Sequence, residues 1–147
     1  MIASSGEIEG GLHRLPVRVY YEDTDAGGVV YHARYLNFAE RARTELLRAL
    51  GIEQSQLRRR FGMVFAVRDC SVDFRRPARF DDLLEVRSRL IEMSGASLRA
   101  VQSIWRGSEL LVDIKIRVAA LGDTGRPTRI PEPVRAALGP HITQPRE

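Results

Sequence analysis

The sequence predicts an α+β fold, with one long helix packed on a curved antiparallel sheet of about five strands. Three observations carry this. Apolar residues recur at helical spacing over one long segment, from Tyr35 to Leu50. Alternation of period two fills most of the chain from Cys70 to Val118. Short polar or glycine-containing breaks separate the alternating stretches. A single helix and a single sheet then bury each other's apolar faces.

The elements follow in order. Val17, Val19 and Tyr21 alternate with Arg18, Tyr20 and Glu22, as in a half-buried strand. Asp25-Ala26-Gly27-Gly28 breaks that strand. From about His32, residues Tyr35, Phe38, Ala39, Ala42, Leu46, Ala49 and Leu50 form the stripe of an amphipathic helix. Gly51 is placed to cap its end. Glu53–Arg60 reads as one or two further helical turns. Cys70, Val72 and Phe74 then alternate, Pro77 and Asp81-Asp82 turn the chain, and Leu84, Val86 and Leu90 alternate again. Ser94-Gly95 precedes Leu98–Trp105, and Arg106-Gly107-Ser108 precedes Leu110–Val118. These four strands read as an antiparallel meander. One sheet face stays uncovered, and Val101 and Trp105 add apolar groups off the main alternation, so self-association is expected. Residues 1–14 read as a flexible tail and 15–121 as the domain. Residues 122–147, which carry Pro127, Pro131, Pro133, Pro140 and Pro145, read as a mostly irregular extension with at most a short helix at Val134–Leu138.

Composition narrows the function classes. A chain of 147 residues fits one domain, and 44% hydrophobic with 29% charged residues is a globular balance. No apolar run approaches the ~18–20 residues of a membrane span. The first fifteen residues hold Glu7 and Glu9 and no apolar core, so no secretory signal is expected. Cys70 is the only cysteine, which excludes an internal disulfide and any CxxC motif. Both features predict a cytoplasmic protein. The net charge is +4, and Lys115 is the only lysine. That charge suits a phosphate-bearing ligand, a nucleic acid or an anionic surface, and also plain arginine-rich composition. Arg58-Arg59-Arg60 has no interleaved aromatics and reads as a solvated face, so no nucleic acid partner is expected.

The chemistry concentrates between Val17 and Leu50. Asp23, Asp25 and His32 surround a Gly-Gly loop that leads into a helix start. Free N–H groups at a helix start polarise a carbonyl or hold an anion. A nearby carboxylate acts as base or nucleophile. Together they make the two sides of a hydrolytic site. The plainer reading is that Asp25 caps a turn and His32 is an ordinary first residue of a helix.

This stretch resembles the signature of hotdog-fold thioesterases of the 4-hydroxybenzoyl-CoA thioesterase type. It is most similar to the small bacterial acyl-CoA thioesterases associated with the Tol–Pal cell-envelope system. The resemblance rests on Tyr21-Glu22-Asp23-Thr24-Asp25-Ala26-Gly27-Gly28-Val29-Val30-Tyr31-His32, followed by Asn37-Phe38-Ala39-Glu40-Arg41-Ala42-Arg43-Thr44-Glu45. It extends to about residue 121. It implies that Asp25 is the catalytic carboxylate and that the backbone N–H at His32 polarises the thioester carbonyl, with the imidazole able to assist. It further implies substrate contacts at Val30, Tyr31, Phe65, Val67 and Ser97, and no cofactor or metal. The expected substrate is an acyl-CoA with a short aliphatic acyl group, and the expected assembly is a homodimer pairing into a homotetramer with sites at the subunit interface. The basic pair that hydroxybenzoyl-specific relatives carry beside the serine is missing at Ser94-Gly95-Ala96-Ser97, and Arg75, Arg76 and Arg79 are alternative phosphate contacts.

Other candidates have quieter readings. Cys70 reads as a small buried apolar residue rather than a nucleophile. Glu40 reads as a surface ion-pairing residue rather than a second catalytic carboxylate. Two further functions compete with hydrolysis of acyl-CoA. One is a scaffold that binds acyl carrier protein or an envelope-associated protein. The other is a hydratase or dehydratase acting on acyl thioesters. No GxSxG, GxGxxG or Walker sequence is present.

Overall fold

A computed structural model of the protein describes residues 5–142. Six strands form one antiparallel sheet: β1 (Glu7–Glu9), β2 (Leu12–Arg18), β3 (Val64–Phe74), β4 (Leu83–Met93), β5 (Ser97–Arg106) and β6 (Glu109–Leu121). Their order across the sheet is β1-β2-β4-β5-β6-β3. Three α-helices accompany them: α1 (His32–Ala49), α2 (Gln54–Phe61) and α3 (Glu132–Leu138).

Helix α1 lies on the expected segment. Tyr35, Phe38, Ala39, Ala42 and Leu46 are all buried, and Ala39 and Ala42 let the sheet approach closely. Its end closes as the sequence suggests: Gly51 N–H donates to Arg48 O and Ile52 N–H to Leu47 O, with Leu47 and Ile52 both buried. The sheet supplies the other half of the core from Leu15, Val17, Leu84, Val86, Ile104, Val112 and Ile114.

The structure corrects four expectations. The sheet has six strands, because residues 7–14, read as tail, form β1 and the start of β2. Gly10 and Gly11 both have positive φ, 58° and 80°, and make the two-residue turn that joins β1 to β2 with Glu9 opposite Leu12. The outer parts of both expected tails, residues 1–4 and 143–147, lie outside the described residues. Secondly, the strand through Val17 ends at Arg18. Val19 is buried, but Tyr21 is 75% exposed in a 3-10 turn, because the Asp23 side chain closes that turn.

The third correction concerns the meander. Only β4, β5 and β6 are joined in succession by short turns; β3 crosses to the far edge and pairs with β6. The connection 75–82 is long enough to span the two intervening strands. The fourth follows from it. Cys70, Val72 and Phe74 do share one face, opposite Ile116, Ile114 and Val112. That face is open: Cys70 is exposed and Phe74 is 49% exposed. Helix α1 packs chiefly on β2 and β4 and covers the edge strand only in part, with the Tyr35 ring 5.8 Å from Phe74.

Val101 and Trp105 lie on the sheet face away from α1, half-buried. The Arg87 guanidinium sits 4.3 Å over the Trp105 ring, and Trp105 Nε1 donates to Ser103 Oγ at 2.8 Å. Cationic and polar groups therefore cover part of the apolar surface expected there.

Candidate active site

The segment from Asp23 to Tyr31 is a closed loop. Tyr31 N–H donates to Asp23 O at 2.9 Å, which ties the exit of the loop to its entrance. Thr24 bridges Val30, Asp25 N–H donates to Val29 O, and Gly28 N–H returns to Asp25 O. Gly28 has φ +80°, a conformation that a side chain resists. The Asp25 carboxylate takes part: its Oδ1 accepts Gly27 N–H at 2.8 Å and Val29 N–H at 3.4 Å. The turn-capping reading of Asp25 is thus realised, and it coexists with chemistry. Asp25 is exposed, and its Oδ2 has no hydrogen-bond or ion-pair partner among the described residues.

His32 opens α1, so its backbone N–H has no partner within the helix. The positive end of the helix dipole faces the same side as the loop. The His32 ring is exposed, 4.3 Å from the Tyr31 ring and 6.3 Å edge-on from Phe74. Val30 is buried and Tyr31 is 47% exposed. Asp25, Val30, Tyr31 and His32 therefore come together.

A strap from Pro77 to Phe80 supports this loop. Val30 N–H donates to Ala78 O, and Val29 bridges Arg79. Ala78 N–H in turn donates to the buried Tyr35 hydroxyl at 2.8 Å. Burial raises the Tyr35 hydroxyl above its ordinary pKa, with the Ala78 bond opposing, so the phenol stays neutral. Phe80 stacks on Tyr21 at 3.8 Å. The sequence reading counted Tyr35 only as an apolar stripe residue, and no local pattern shows that its hydroxyl holds the strap.

Phe65 and Val67 lie elsewhere, at the opposite end of β3 from Phe74. They line a cavity of about 400 Å³ together with Leu46, Ala66, Leu98 and Ile116. Glu40 and Arg43 stand at its polar side. Glu40 is exposed and makes no ion pair among the described residues, contrary to the surface-pair expectation. Arg43 donates to Gln102 Oε1 at 3.0 Å, while Gln102 Nε2 donates to Ala39 O and Ser88 Oγ. Burial lowers the Arg43 pKa, with the Glu40 carboxylate opposing, and the guanidinium keeps its charge. The signal for it was Gln102, a polar residue facing inward on a strand that is apolar at its neighbours.

Ser97 stands at the β4–β5 turn, apart from both groups. Its hydroxyl pairs with Ser94 Oγ at 2.6 Å. The basic residues missing from this turn in sequence arrive from the C-terminal segment. Arg135 Nη1 donates to Ser94 O at 2.9 Å, and Arg129 Nη1 lies 3.8 Å from where a Cβ on Gly95 would sit. Of the three alternatives, Arg75 is engaged by Asp73 and Asp113 and Arg76 by Glu109, whereas Arg79 has no ion pair among the described residues.

With this geometry in view, comparison with known proteins is informative. The sequence model of the thioesterase-like superfamily matches residues 19–138. The chain is 46% identical over 126 residues to the acyl-CoA thioesterase YbgC of Haemophilus influenzae, covering 84% of this chain and 92% of that protein. It is 49% identical over 102 residues to the acyl-CoA thioester hydrolase YbgC of Escherichia coli, covering 69% and 75% respectively. Among solved structures, a probable thioesterase from Bartonella henselae superposes with TM-score 0.78 at 40% identity, covering 82% of this chain and 99% of that one. A Thermus thermophilus protein superposes with TM-score 0.84 at 32% identity over 90% and 99%. The chain belongs to the thioesterase-like superfamily, has its hotdog fold, and is an enzyme of the thioesterase class.

Proposed function

We propose that the protein hydrolyses acyl-CoA to the free acid and CoA, with Asp25 and the His32 backbone N–H as its catalytic groups. The carrying observation is the closed loop that holds an accessible carboxylate and leads into a helix start whose first N–H has no partner within the helix. Asp25 either adds to the thioester carbon or takes the proton of an attacking water. The His32 N–H stabilises the oxyanion, the C–S bond breaks, and CoA leaves as thiolate. Single turnover in oxygen-18 water separates the two routes, since only an anhydride intermediate leaves label in Asp25.

The acyl group, a short aliphatic one in this reading, enters the cavity at Phe65 and Val67. Ser97, with Arg129 and Arg135, meets the CoA phosphates. Val30 and Tyr31 flank the thioester. These groups are too far apart for one protomer: the nine residue steps from Phe65 to Phe74 extend about 30 Å. Antiparallel pairing of two β3 edges sets the Phe74 end of one copy against the Phe65 end of the other. A homodimer, pairing further into a homotetramer, therefore completes each site. Its place is the cytoplasm, in association with the Tol–Pal system, which fractionation and co-purification test. Among the described residues no helix is long and apolar enough to cross a membrane.

The test is thiol release from a panel of acyl-CoAs, from acetyl to dodecanoyl and including benzoyl. Asp25→Asn is expected to lower kcat by about 10²–10⁴-fold with the oligomer intact. Full activity of that variant would remove Asp25 from the mechanism. Faster turnover of the same acyl group on acyl carrier protein would move the substrate to the carrier-bound form.

A further inference from the structure

The Asp25 loop is tied down by a second carboxylate that does not face solvent. Asp23 is 4% exposed, and it is the only buried Asp or Glu among the described residues. Burying a carboxylate is costly unless its charge is met. Its Oδ2 accepts Tyr20 N–H at 2.8 Å, and its Oδ1 lies 4.0 Å from Arg34 Nε. Its backbone carbonyl accepts Tyr31 N–H. One residue thus touches the turn that enters the loop, the residue that starts α1, and the first turn of that helix.

We propose that Asp23 is a positioning residue: its side chain sets the separation between the Asp25 carboxylate and the His32 N–H. This rests on the catalytic assignment of Asp25 and His32. Asp25 follows two residues after Asp23, and His32 follows the Tyr31 that the Asp23 backbone carbonyl holds, while the Asp23 side chain itself reaches α1 at Arg34, two residues beyond His32. Neither end of this span can shift without straining the Asp23 contacts. Arg34 explains why a charge is used. A cation in the first turn is repelled by the helix dipole, and α1 has no acid of its own there. Asp23 supplies the missing counter-charge from the loop, and so couples the loop to the helix. Because a displacement of about 1 Å costs about a hundredfold in rate, a clamp of this kind acts on kcat rather than on binding.

The experiment compares wild type with Asp23→Asn, Asp23→Ala, Asp25→Asn and the Asp23→Ala/Asp25→Asn double variant. It reads kcat, KM for one acyl-CoA, the Kd of product CoA and the thermal midpoint. Asp23→Ala is expected to lower kcat about 30–100-fold, with KM and the CoA Kd within twofold. Asp23→Asn keeps an acceptor for Tyr20 N–H and is expected to recover part of the rate, to about a tenth of wild type. In the Asp25→Asn background, Asp23→Ala is expected to add almost nothing, since both act through one group. A kcat within twofold of wild type in Asp23→Ala overturns the inference, whatever happens to the thermal midpoint. So does an equal loss in the Asp25→Asn background, or a loss that falls on KM and CoA binding. If Asp23→Ala does not fold, Asp23→Asn decides by the same kcat criterion. Full activity of Asp25→Asn instead defeats the catalytic assignment, and is read independently of the Asp23 variants.

Discussion

The Asp25 loop and the β3 edge touch each other at Phe74, yet they satisfy their groups in opposite ways. Between Asp23 and Tyr31 the backbone bonds are made within the loop, to the turn that enters it, to the strap or to the first turn of α1. Asp25 Oδ1 itself accepts two of the loop's N–H groups. Strand β3 pairs on one side only, and its inward face shows Val67, Cys70 and Phe74 to solvent. A long unpaired edge beside apolar side chains is a surface that awaits another strand. The loop is therefore a finished device that one protomer carries complete. In the dimer proposed above, the edge and its cavity are half of a device.

This contrast can be broken most sharply at the edge. Val67→Arg puts a charge on the exposed inward face of β3. Sedimentation is expected to show loss of self-association, and turnover should fall at least tenfold although the Asp25 loop is untouched. An active monomer would mean that one protomer suffices and the comparison is wrong.

The cavity gives the next effect. Val118→Phe narrows it at a half-buried position opposite Val67 and Leu98. The ratio of kcat/KM for dodecanoyl-CoA to butanoyl-CoA is expected to fall about tenfold, in line with the few kcal/mol a hydrophobic pocket commands. An unchanged ratio would place the acyl chain elsewhere.

A smaller change is expected at the Ser97 turn. Arg129→Ala with Arg135→Ala should raise KM for acyl-CoA about three- to tenfold. The same acyl group on pantetheine lacks the nucleotide phosphates and should show no change. Equal losses on both substrates would assign the two arginines to folding of the C-terminal segment.

The smallest effect concerns the strap. Burial works to raise the Asp82 pKa, but the Arg79 N–H and the Arg106 guanidinium, 2.8 Å away, outweigh it and hold the carboxyl below the usual range. A lowered folded-state pKa stabilises the protein above the unfolded value, about 3.9, and that contribution disappears as pH falls through the folded value. Asp82→Asn should therefore lower the thermal midpoint by a few degrees at pH 7. The gap to wild type should narrow progressively as pH falls below the unfolded value. A gap that does not narrow on acidification would show that packing, not charge, is lost.

Parts of this molecule were legible because their causes are local. The helix stripe from Tyr35 to Leu50, its closure at Gly51, and the Asp25–His32 loop all follow from spacing and from residue types that act on their near neighbours. Local signals also exist where structure and composition disagree. Gly10-Gly11 is a hairpin turn inside a segment whose composition resembles a tail, and Asp23 sits where it can close the 3-10 turn that follows β2.

Sequence alone determined that one long helix covers one antiparallel sheet, and that a carboxylate and a helix start share a glycine loop. Periodicity and turn chemistry are enough for that, because both are short-range. Tertiary structure decided that β3 pairs with β6, which left Cys70 and Phe74 exposed. It also brought Arg135 to Ser94 and Arg129 to Gly95 in the turn that ends at Ser97, and aimed the Tyr35 hydroxyl at the strap. Those outcomes depend on which distant segments meet. Alternation along a strand records which face a side chain takes, but not which strand lies beside it or whether a helix reaches over it.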